Sequence, residues 1–230
     1  MKIPLYLAMT AAEYSRCTEI PPHICWMACH FSSSGPGLSN MPHSLPAGSV
    51  LMVDDSIPFS NHRQEAISAQ LAAAVKDFQL RAIILDLQRP AAQNTKALSE
   101  ALQKLPCPII CTPAYAPPSS PVLLPPCPPN RRLQDHIAPF KNREIWLELA
   151  LEGLSIGIDR QGCHSEPVPY ENAAAFPHWD ERLLCHYKIT RGADCVTFHL
   201  QRSREDLQKL LESAERLGIT HAVGLWQELK

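Results

Sequence analysis

The sequence is short of glycine, of unbalanced charge and of long apolar runs, and each shortage excludes a class of protein. Its 230 residues contain only nine glycines, which form neither the G-x-G-x-x-G nor the P-loop pattern that cradles nucleotide phosphates. Basic residues number 21 and acidic residues 23, with Arg131-Arg132 as the longest basic run, so we expect no nucleic-acid partner. No apolar stretch reaches the roughly 18 to 20 residues of a membrane-spanning helix, so we expect a soluble protein without a membrane partner.

The cysteines also lack the pattern of a disulfide-bonded protein. Nine of them are spread from Cys17 to Cys195, and an odd number at irregular spacing fits reduced thiols better than a disulfide framework. The first ten residues lack the apolar core of a signal peptide, because Pro4 interrupts their short apolar run. Both observations predict a cytoplasmic protein.

The tightest grouping of metal-ligating residue types is His23, Cys25, Cys29 and His30. Cys25 and Cys29 lie in an apolar run with Trp26, where a free cysteine serves as a small hydrophobic residue. The paired C-x-x-C spacing of a zinc ribbon is absent from the sequence. We therefore expect neither a metal nor another cofactor.

The most informative stretch is the apolar run from Ala82 to Leu85, which leads into Asp86 and Gln88. A run without alternation is typical of a parallel strand that is covered on both faces. Asp86 and Gln88 are two residues apart, so they share one face at the carboxyl end of this strand. Ligand sites of α/β barrels and doubly wound sheets lie at such ends. In the alternative interpretation, Asp86 only caps a turn and Gln88 is a solvated loop residue.

The first half of the chain alternates between strand and helix patterns. Apolar strands begin near residues 4, 24, 49, 82 and 107, and amphipathic helices follow the cap candidates Asn61 and Asn94. This alternation predicts parallel βαβ units. Residues 113 to 129 then contain eight prolines, which leave room for one brief strand near residue 121 and for no crossover helix.

The second half predicts a small antiparallel insertion and a closing βα unit. Two strand candidates, Ile145 to Leu149 and Leu154 to Ile158, open a β insertion over residues 144 to 190. A strand from Cys195, a helix that begins after Ser203 and a strand from Thr220 end the chain. Parallel candidates then begin at 4, 24, 49, 82, 107, 121, 195 and 220, and eight is the number of a (β/α)8 TIM-like barrel. We expect one barrel domain over residues 1 to 230, irregular around strands five to seven.

In this count the strand at residue 82 is the fourth, and the sequence resembles the chitinase-like glycoside hydrolases of family 18. That family carries D-x-x-D-x-D-x-E at the end of its fourth strand. The aligned residues here are Arg81, Ile84, Asp86 and Gln88, so only the last Asp matches. The resemblance also implies that Trp226, near the end of the eighth strand, corresponds to the Trp that floors the family's sugar site.

The departure at Gln88 determines what the resemblance implies about chemistry. In the family, the Glu donates a proton to the glycosidic oxygen and the preceding Asp orients the acetamido group of the substrate. An amide has no such proton to give, and general-acid catalysis contributes about 10² to 10⁴ in rate. The resemblance therefore implies a carbohydrate-binding barrel without family-type catalysis. The alternative is a catalytically inactive barrel that acts as a protein-interaction module.

Further polar and aromatic residues are candidates for an oligosaccharide site at the same rim. Asp54 and Asp55 end the strand at residue 49, and either of them, or Glu228, is a hypothetical relocated acid. Tyr115 and Tyr187 can line a sugar site, although core packing explains both equally well. The predicted ligand-binding residues are Asp54, Asp55, Asp86, Gln88, Tyr115, Tyr187 and Trp226. No catalytic residue is assigned.

Overall fold

Eight parallel strands close into a barrel in the computed structural model, which describes residues 2–59, 63–90, 93–171 and 175–230. The described strands are β1 (Leu5–Met9), β2 (Ile24–Phe31), β3 (Leu38–Ser39), β4 (Val50–Asp54), β5 (Ala82–Asp86), β6 (Ile109–Cys111), β7 (Val122–Leu124), β8 (Ile145–Leu149), β9 (Gly153–Asp159), β10 (Gly162–Val168), β11 (His178–Asp180), β12 (Cys185–Arg191), β13 (Cys195–Gln201) and β14 (His221–Leu225). The barrel runs β1-β2-β4-β5-β6-β7-β8-β14, and β14 pairs with β1 to close it. The predicted barrel is confirmed.

The helices surround the barrel unevenly. They are α1 (Ala11–Arg16), α2 (Gln64–Phe78), α3 (Gln93–Leu102), α4 (Leu133–Ile137), α5 (Arg204–Arg216) and α6 (Trp226–Leu229), with a 3-10 turn at Ala138–Phe140. Full crossover helices follow β4 and β5, whereas turns connect β6 to β7 and the five-residue α4 precedes β8. The prolines of this region cannot donate the backbone hydrogen bonds of a helix interior, which explains the predicted irregularity.

The core is divided by the barrel wall into an inner and an outer layer. The inner cluster consists of Tyr6, Ala8, Cys25, Val50, Met52, Ala82, Ile84, Ile110, Leu123, Trp146 and Val223. The alternate residues of the same strands pack outward under the helices. A strand that is buried on both faces needs apolar residues at every position, which is why the Ala82 run shows no alternation.

A second, five-stranded antiparallel sheet, in the order β10-β9-β13-β12-β11, is inserted between β8 and α5. Two strand assignments from the sequence were therefore wrong. Ile145–Leu149 is the seventh barrel strand, whereas Cys195–Gln201 belongs to the antiparallel sheet. The inserted sheet thus runs over residues 153–201 instead of 144–190. The alternation of polar and apolar residues in β13 is that of a half-exposed antiparallel strand.

The ends of the helices follow the predicted signals in part. Ser203 and Asp206 form the capping box of α5, and Gly218 ends the unit with a φ of +84°. Asn94 lies within the first turn of α3 instead of at its cap, and Asn61 lies outside the described residues. Trp226 is the first residue of α6 and not part of the last strand. Throughout the described ranges, no helix is long and apolar enough to cross a membrane.

Candidate functional site

The mouth at the carboxyl ends of the barrel strands contains neighbouring carboxylates from β4 and β5. Asp54 and Asp86 are paired in register. The residues two positions earlier, Met52 and Ile84, belong to the inner cluster. Because side chains two apart on a strand face the same side, Asp54 and Asp86 both face the mouth.

Gln88 is tied directly to Asp86. Its Nε2 atom donates a hydrogen bond of 2.5 Å to Oδ1 of Asp86, and the Gln88 side chain is exposed at the rim. Burial raises the pKa of Asp86, the Gln88 hydrogen bond lowers it, and the carboxylates of Asp54 and Asp55 raise it again. Gln88 therefore places an amide at the position where glycoside hydrolases of family 18 have their acid. Beside it, the carboxylate of Asp86 is partly withdrawn from water.

Glu148 is a mouth residue that the sequence analysis missed. It lies on β8, two residues after the inner-cluster residue Trp146, and so faces inward from the other side of the mouth. Burial raises the pKa of Glu148 to about 7, and the carboxylates of Asp86, Glu152 and Glu228 contribute to the rise. At neutral pH the carboxyl group of Glu148 is therefore only partly ionised. The signal for it was present in the sequence, since Ile145 to Leu149 is an apolar run with one carboxylate, as at Asp86.

The floor of the mouth is apolar. Cys25 is fully buried in the inner cluster, and Met27 and Leu225 pack against that cluster. Burial, together with the nearby carboxylates of Asp86 and Glu148, raises the pKa of the Cys25 thiol far above its ordinary range. Cys25 is therefore a packing residue and not a nucleophile. Within the described part of the chain, no group of three or more His, Cys, Asp or Glu residues is arranged to hold a metal ion.

Asp55 and Tyr115 lie behind the mouth, in the outer layer. The buried carboxylate of Asp55 accepts the backbone N–H groups of Gln88 at 2.9 Å and Arg89 at 3.0 Å. The hydroxyl of Tyr115 donates to the carbonyl oxygen of Arg89 at 2.8 Å, and Tyr115 belongs to the outer core. Both residues thus hold the loop that carries Gln88, without facing the mouth themselves.

Two of the remaining candidates, Tyr187 and Trp226, lie elsewhere. Tyr187 is on β12 of the antiparallel sheet, with its ring 4.9 Å from that of His178. Trp226 lies beside Lys230, in the wall of a cavity of about 650 Å³ formed with the segment after α1. Glu228 accepts the backbone N–H of Leu151 at 2.9 Å. The mouth therefore brings together Asp54, Asp86, Gln88 and Glu148, and not Asp55, Tyr115, Tyr187 or Trp226.

Comparisons with known proteins identify the fold of the chain. No family model and no curated protein matches the sequence. A family 18 N-acetylglucosaminidase from Paenibacillus barengoltzii is similar in structure, with a TM-score of 0.59 and 11% identity over 99% of this chain and 97% of that one. The chitinase-like agglutinin of Robinia pseudoacacia has a TM-score of 0.58 and 10% identity, over 99% and 96% of the two chains.

A third similar structure is a family 18 chitinase variant from Cycas revoluta, solved in complex with (GlcNAc)4. Its TM-score is 0.56 at 9% identity, over 97% of this chain and 94% of that one. Likenesses at this level of identity establish the fold. The chain has the barrel fold of the family 18 chitinases and chitinase-like proteins, and the resemblance predicted from the fourth strand is confirmed.

Proposed function

We propose that the protein binds oligosaccharides of N-acetylated sugars at the mouth of the barrel. The observation that carries the proposal is the position of Asp86. This residue matches the last Asp of the family 18 motif, and it faces the mouth from the end of the fourth barrel strand. Carbohydrate binding at this rim is compatible with the cycad structure, which was solved with (GlcNAc)4. The same fold also occurs in a protein described as an agglutinin.

The chemistry of the mouth suits a polar, uncharged ligand with many hydroxyl groups. The carboxylates of Asp86 and Asp54 accept hydrogen bonds from hydroxyl and amide N–H groups. Gln88 can both donate and accept. The apolar floor below them suits the C–H faces of sugar rings and of the N-acetyl methyl group. Asp86 is thus the residue that we expect to orient the acetamido group.

Family-type catalysis does not follow from this arrangement. The position of the proton donor on the fourth strand is occupied by Gln88, whose amide is no acid at accessible pH. Removing general-acid catalysis lowers a rate by about 10² to 10⁴. We therefore propose binding as the principal activity at this position.

Glu148 favours a second candidate, a slow hydrolase with its acid on the seventh strand. In this scheme the Glu148 carboxylic acid gives its proton to the glycosidic oxygen as the bond between that oxygen and the anomeric carbon breaks. The carbonyl oxygen of the acetamido group, oriented by Asp86, closes on the anomeric carbon. A water molecule then opens this ring and returns its proton to the Glu148 carboxylate, so that the enzyme is restored. The supporting observation is the inward position of Glu148, with its pKa raised to about 7 by burial.

Calorimetric titration with short chito-oligosaccharides tests the binding proposal. We expect the native protein to bind, and Asp86→Ala to bind at least about tenfold more weakly, because a buried hydrogen bond to a charged group is worth roughly 1.5 to 3 kcal/mol. Asp194→Ala, which removes an exposed carboxylate of the antiparallel sheet, is the matched control and should bind normally. Absence of heat from the native protein at millimolar ligand would remove the carbohydrate interpretation and leave the interaction module.

Product analysis of the same mixtures tests the second candidate. Hydrolysis that is lost in Glu148→Gln while binding persists would assign the acid to β8. Binding without any product from the native protein would restrict the function to recognition.

A further inference from the structure

The two faces of the antiparallel sheet differ in polarity. The face that packs against α5 is polar: Nδ1 of His186 lies 2.8 Å from Oδ2 of the fully buried Asp206. On the same side, Nζ of Lys209 lies 4.0 Å from the centroid of the Trp179 ring. Because side chains alternate along a strand, Tyr187, next to His186, points to the opposite face, and so do the other residues at alternate positions of β12.

That opposite face is apolar. In register across three strands, Ile189 on β12 lies opposite Phe198 on β13, and Phe198 lies opposite Ile156 on β9. Near the barrel the face is covered, since Cys185 is fully buried and its thiol donates to the carbonyl oxygen of Pro129. Farther from the barrel the cover ends, and Ile189 is 38% and Ile158 48% exposed. Large aliphatic side chains on a shared face at such exposure mark a surface that another molecule can cover.

Two adjoining cavities lie between this face and the segment 128–132. One cavity, of about 630 Å³, is lined by Arg131, Arg132 and Arg182 together with the carboxylates of Asp135 and Asp180. A second, of about 360 Å³, is lined by apolar side chains that include Ile189 and Phe198. The two cavities share Asn130, Asp180 and Leu183 in their walls. We call the combined depression the sheet groove. Three arginines and two aspartates line one part of it, and mostly apolar side chains line the other.

The charges in the sheet groove are only partly compensated. Arg132 is bound to Asp135 by two hydrogen bonds, of 2.6 and 3.1 Å. Oδ1 of Asp180 accepts the backbone N–H groups of Arg182 and Leu183. Among the described residues, the guanidinium groups of Arg131 and Arg182 form neither an ion pair nor a hydrogen bond. Two positive groups therefore remain available to a carboxylate partner beside the apolar surface.

We propose that the sheet groove docks a protein segment that carries carboxylates next to a short aliphatic and aromatic run. The carboxylates would bind Arg131 and Arg182, for which Arg offers a planar pair of donors. The apolar run would cover Ile189 and Phe198 and extend the cover that the segment 128–132 begins. Arg and Tyr, which line the sheet groove as Arg131, Arg182 and Tyr187, are among the residue types that contribute most to binding energy at protein interfaces.

This site is distinct from the barrel mouth and does not depend on sugar binding there. A sugar is a poorer fit, because the exposed part of the face presents branched aliphatic side chains more than flat rings. A sugar also has no charge to match the two guanidinium groups. Binding at the sheet groove would give the barrel a second, protein-directed function.

Fluorescence polarisation with a labelled peptide tests the proposal. The probe is a decapeptide in which two glutamates precede leucine, phenylalanine and isoleucine residues separated by serines. We expect Arg182→Glu and Ile189→Ser each to weaken binding roughly tenfold or more, as substitutions of central interface residues do. The matched controls are Arg216→Glu and Ile20→Ser, both exposed and outside the sheet groove, and both should bind normally. A peptide with lysines in place of the glutamates should not bind.

Each other outcome contradicts the proposal in a recognisable way. Failure of the native protein to bind the glutamate peptide, or equal binding of the lysine peptide, would overturn it. Dimerisation in size-exclusion chromatography that is lost in Ile189→Ser would show that a second copy of the chain covers the face. Chito-oligosaccharide binding that is weakened by Ile189→Ser would show a glycan site instead. Circular dichroism of each variant establishes that a loss of binding is not a loss of fold.

Discussion

The carboxylate of Asp55 lies in the outer layer of the barrel and accepts the backbone N–H of Gln88 at 2.9 Å. Its second oxygen accepts the N–H of Arg89 at 3.0 Å. Asp54, the preceding residue, faces the mouth itself. Two adjacent aspartates thus lie on opposite sides of the barrel wall, one facing the mouth and one holding the loop that carries Gln88.

We expect Asp55→Ala to destabilise the protein by about 3 kcal/mol, because it removes the buried carboxylate that accepts the backbone N–H groups of Gln88 and Arg89. Asp54→Ala should change the free energy of unfolding by less than about 1 kcal/mol, since the Asp54 side chain is only half-buried. Urea denaturation of both variants provides the measurement. Equal losses from the two substitutions would show that Asp55 does not hold the loop.

Gln88→Glu should introduce hydrolysis of short chito-oligosaccharides. The new carboxyl group would lie within hydrogen-bonding distance of Asp86. Repulsion between the two carboxylates would raise the pKa of the new group toward the range of a general acid. Chromatographic product analysis at pH 5 to 7 measures the gain. The double variant with Asp86→Asn is the control and should lose it. A Gln88→Glu protein that binds the sugar but yields no product would show that the position cannot act as an acid.

The pH dependence of stability should report on Glu148. Its folded pKa of about 7 lies above its ordinary value of 4.5, so the folded state binds the proton more tightly than the unfolded state. The resulting stabilisation is fully present below about pH 4.5 and is lost as the pH rises through 7, with a total of about 3 kcal/mol.

Urea titrations at pH 5 and pH 8 measure this effect by difference. Glu148→Gln should remove the loss, so that the variant is the more stable of the two proteins at pH 8. Glu212→Gln, at an exposed position on α5, is the control and should follow the native protein. A native protein that gains stability from pH 5 to pH 8 relative to Glu148→Gln would contradict the assignment.

The exposed and the buried thiols should react at different rates in the native protein. Cys163 and Cys195 are exposed and should label first in the native protein, whereas burial raises the pKa of Cys185 to about 12 and slows its reaction. The other buried thiols, which should wait for unfolding, are Cys25, Cys29, Cys111 and Cys127. Titration of the unfolded, unreduced protein should find nearly all nine. Two or fewer would contradict both the free thiols and the expectation of a cytoplasmic location.

The sequence was informative where a strand is buried on both faces. Ala82 to Leu85 has no alternation, and this identified a barrel strand, its carboxyl end and the inward Asp86 beside Gln88. The capping box at Ser203 and the prolines between β6 and β8 are equally local signals, and they predicted α5 and the gap in the helical layer.

What the sequence could not give depends on long-range pairing. The runs that became β8 and β13 both precede plausible turns, and only the pairing of β8 with β7 and β14 decides which of them is in the barrel. The wrong choice hid Glu148. The way in which Asp55 and Tyr115 hold the loop likewise depends on contacts with Arg89, more than 25 residues along the chain in each case.

The pairing of β1 with β14 also determines when the fold can be completed. Leu5 lies opposite Ala222, so the pairing of β1 with β14 cannot form until nearly the whole of this sequence has been synthesised. Until then β1 presents an unpaired edge, of the kind that invites pairing between chains. The inserted antiparallel sheet lengthens this interval, because it lies between the seventh strand and the eighth. The nascent chain therefore carries this risk of aggregation from the formation of β1 until β14 has been synthesised.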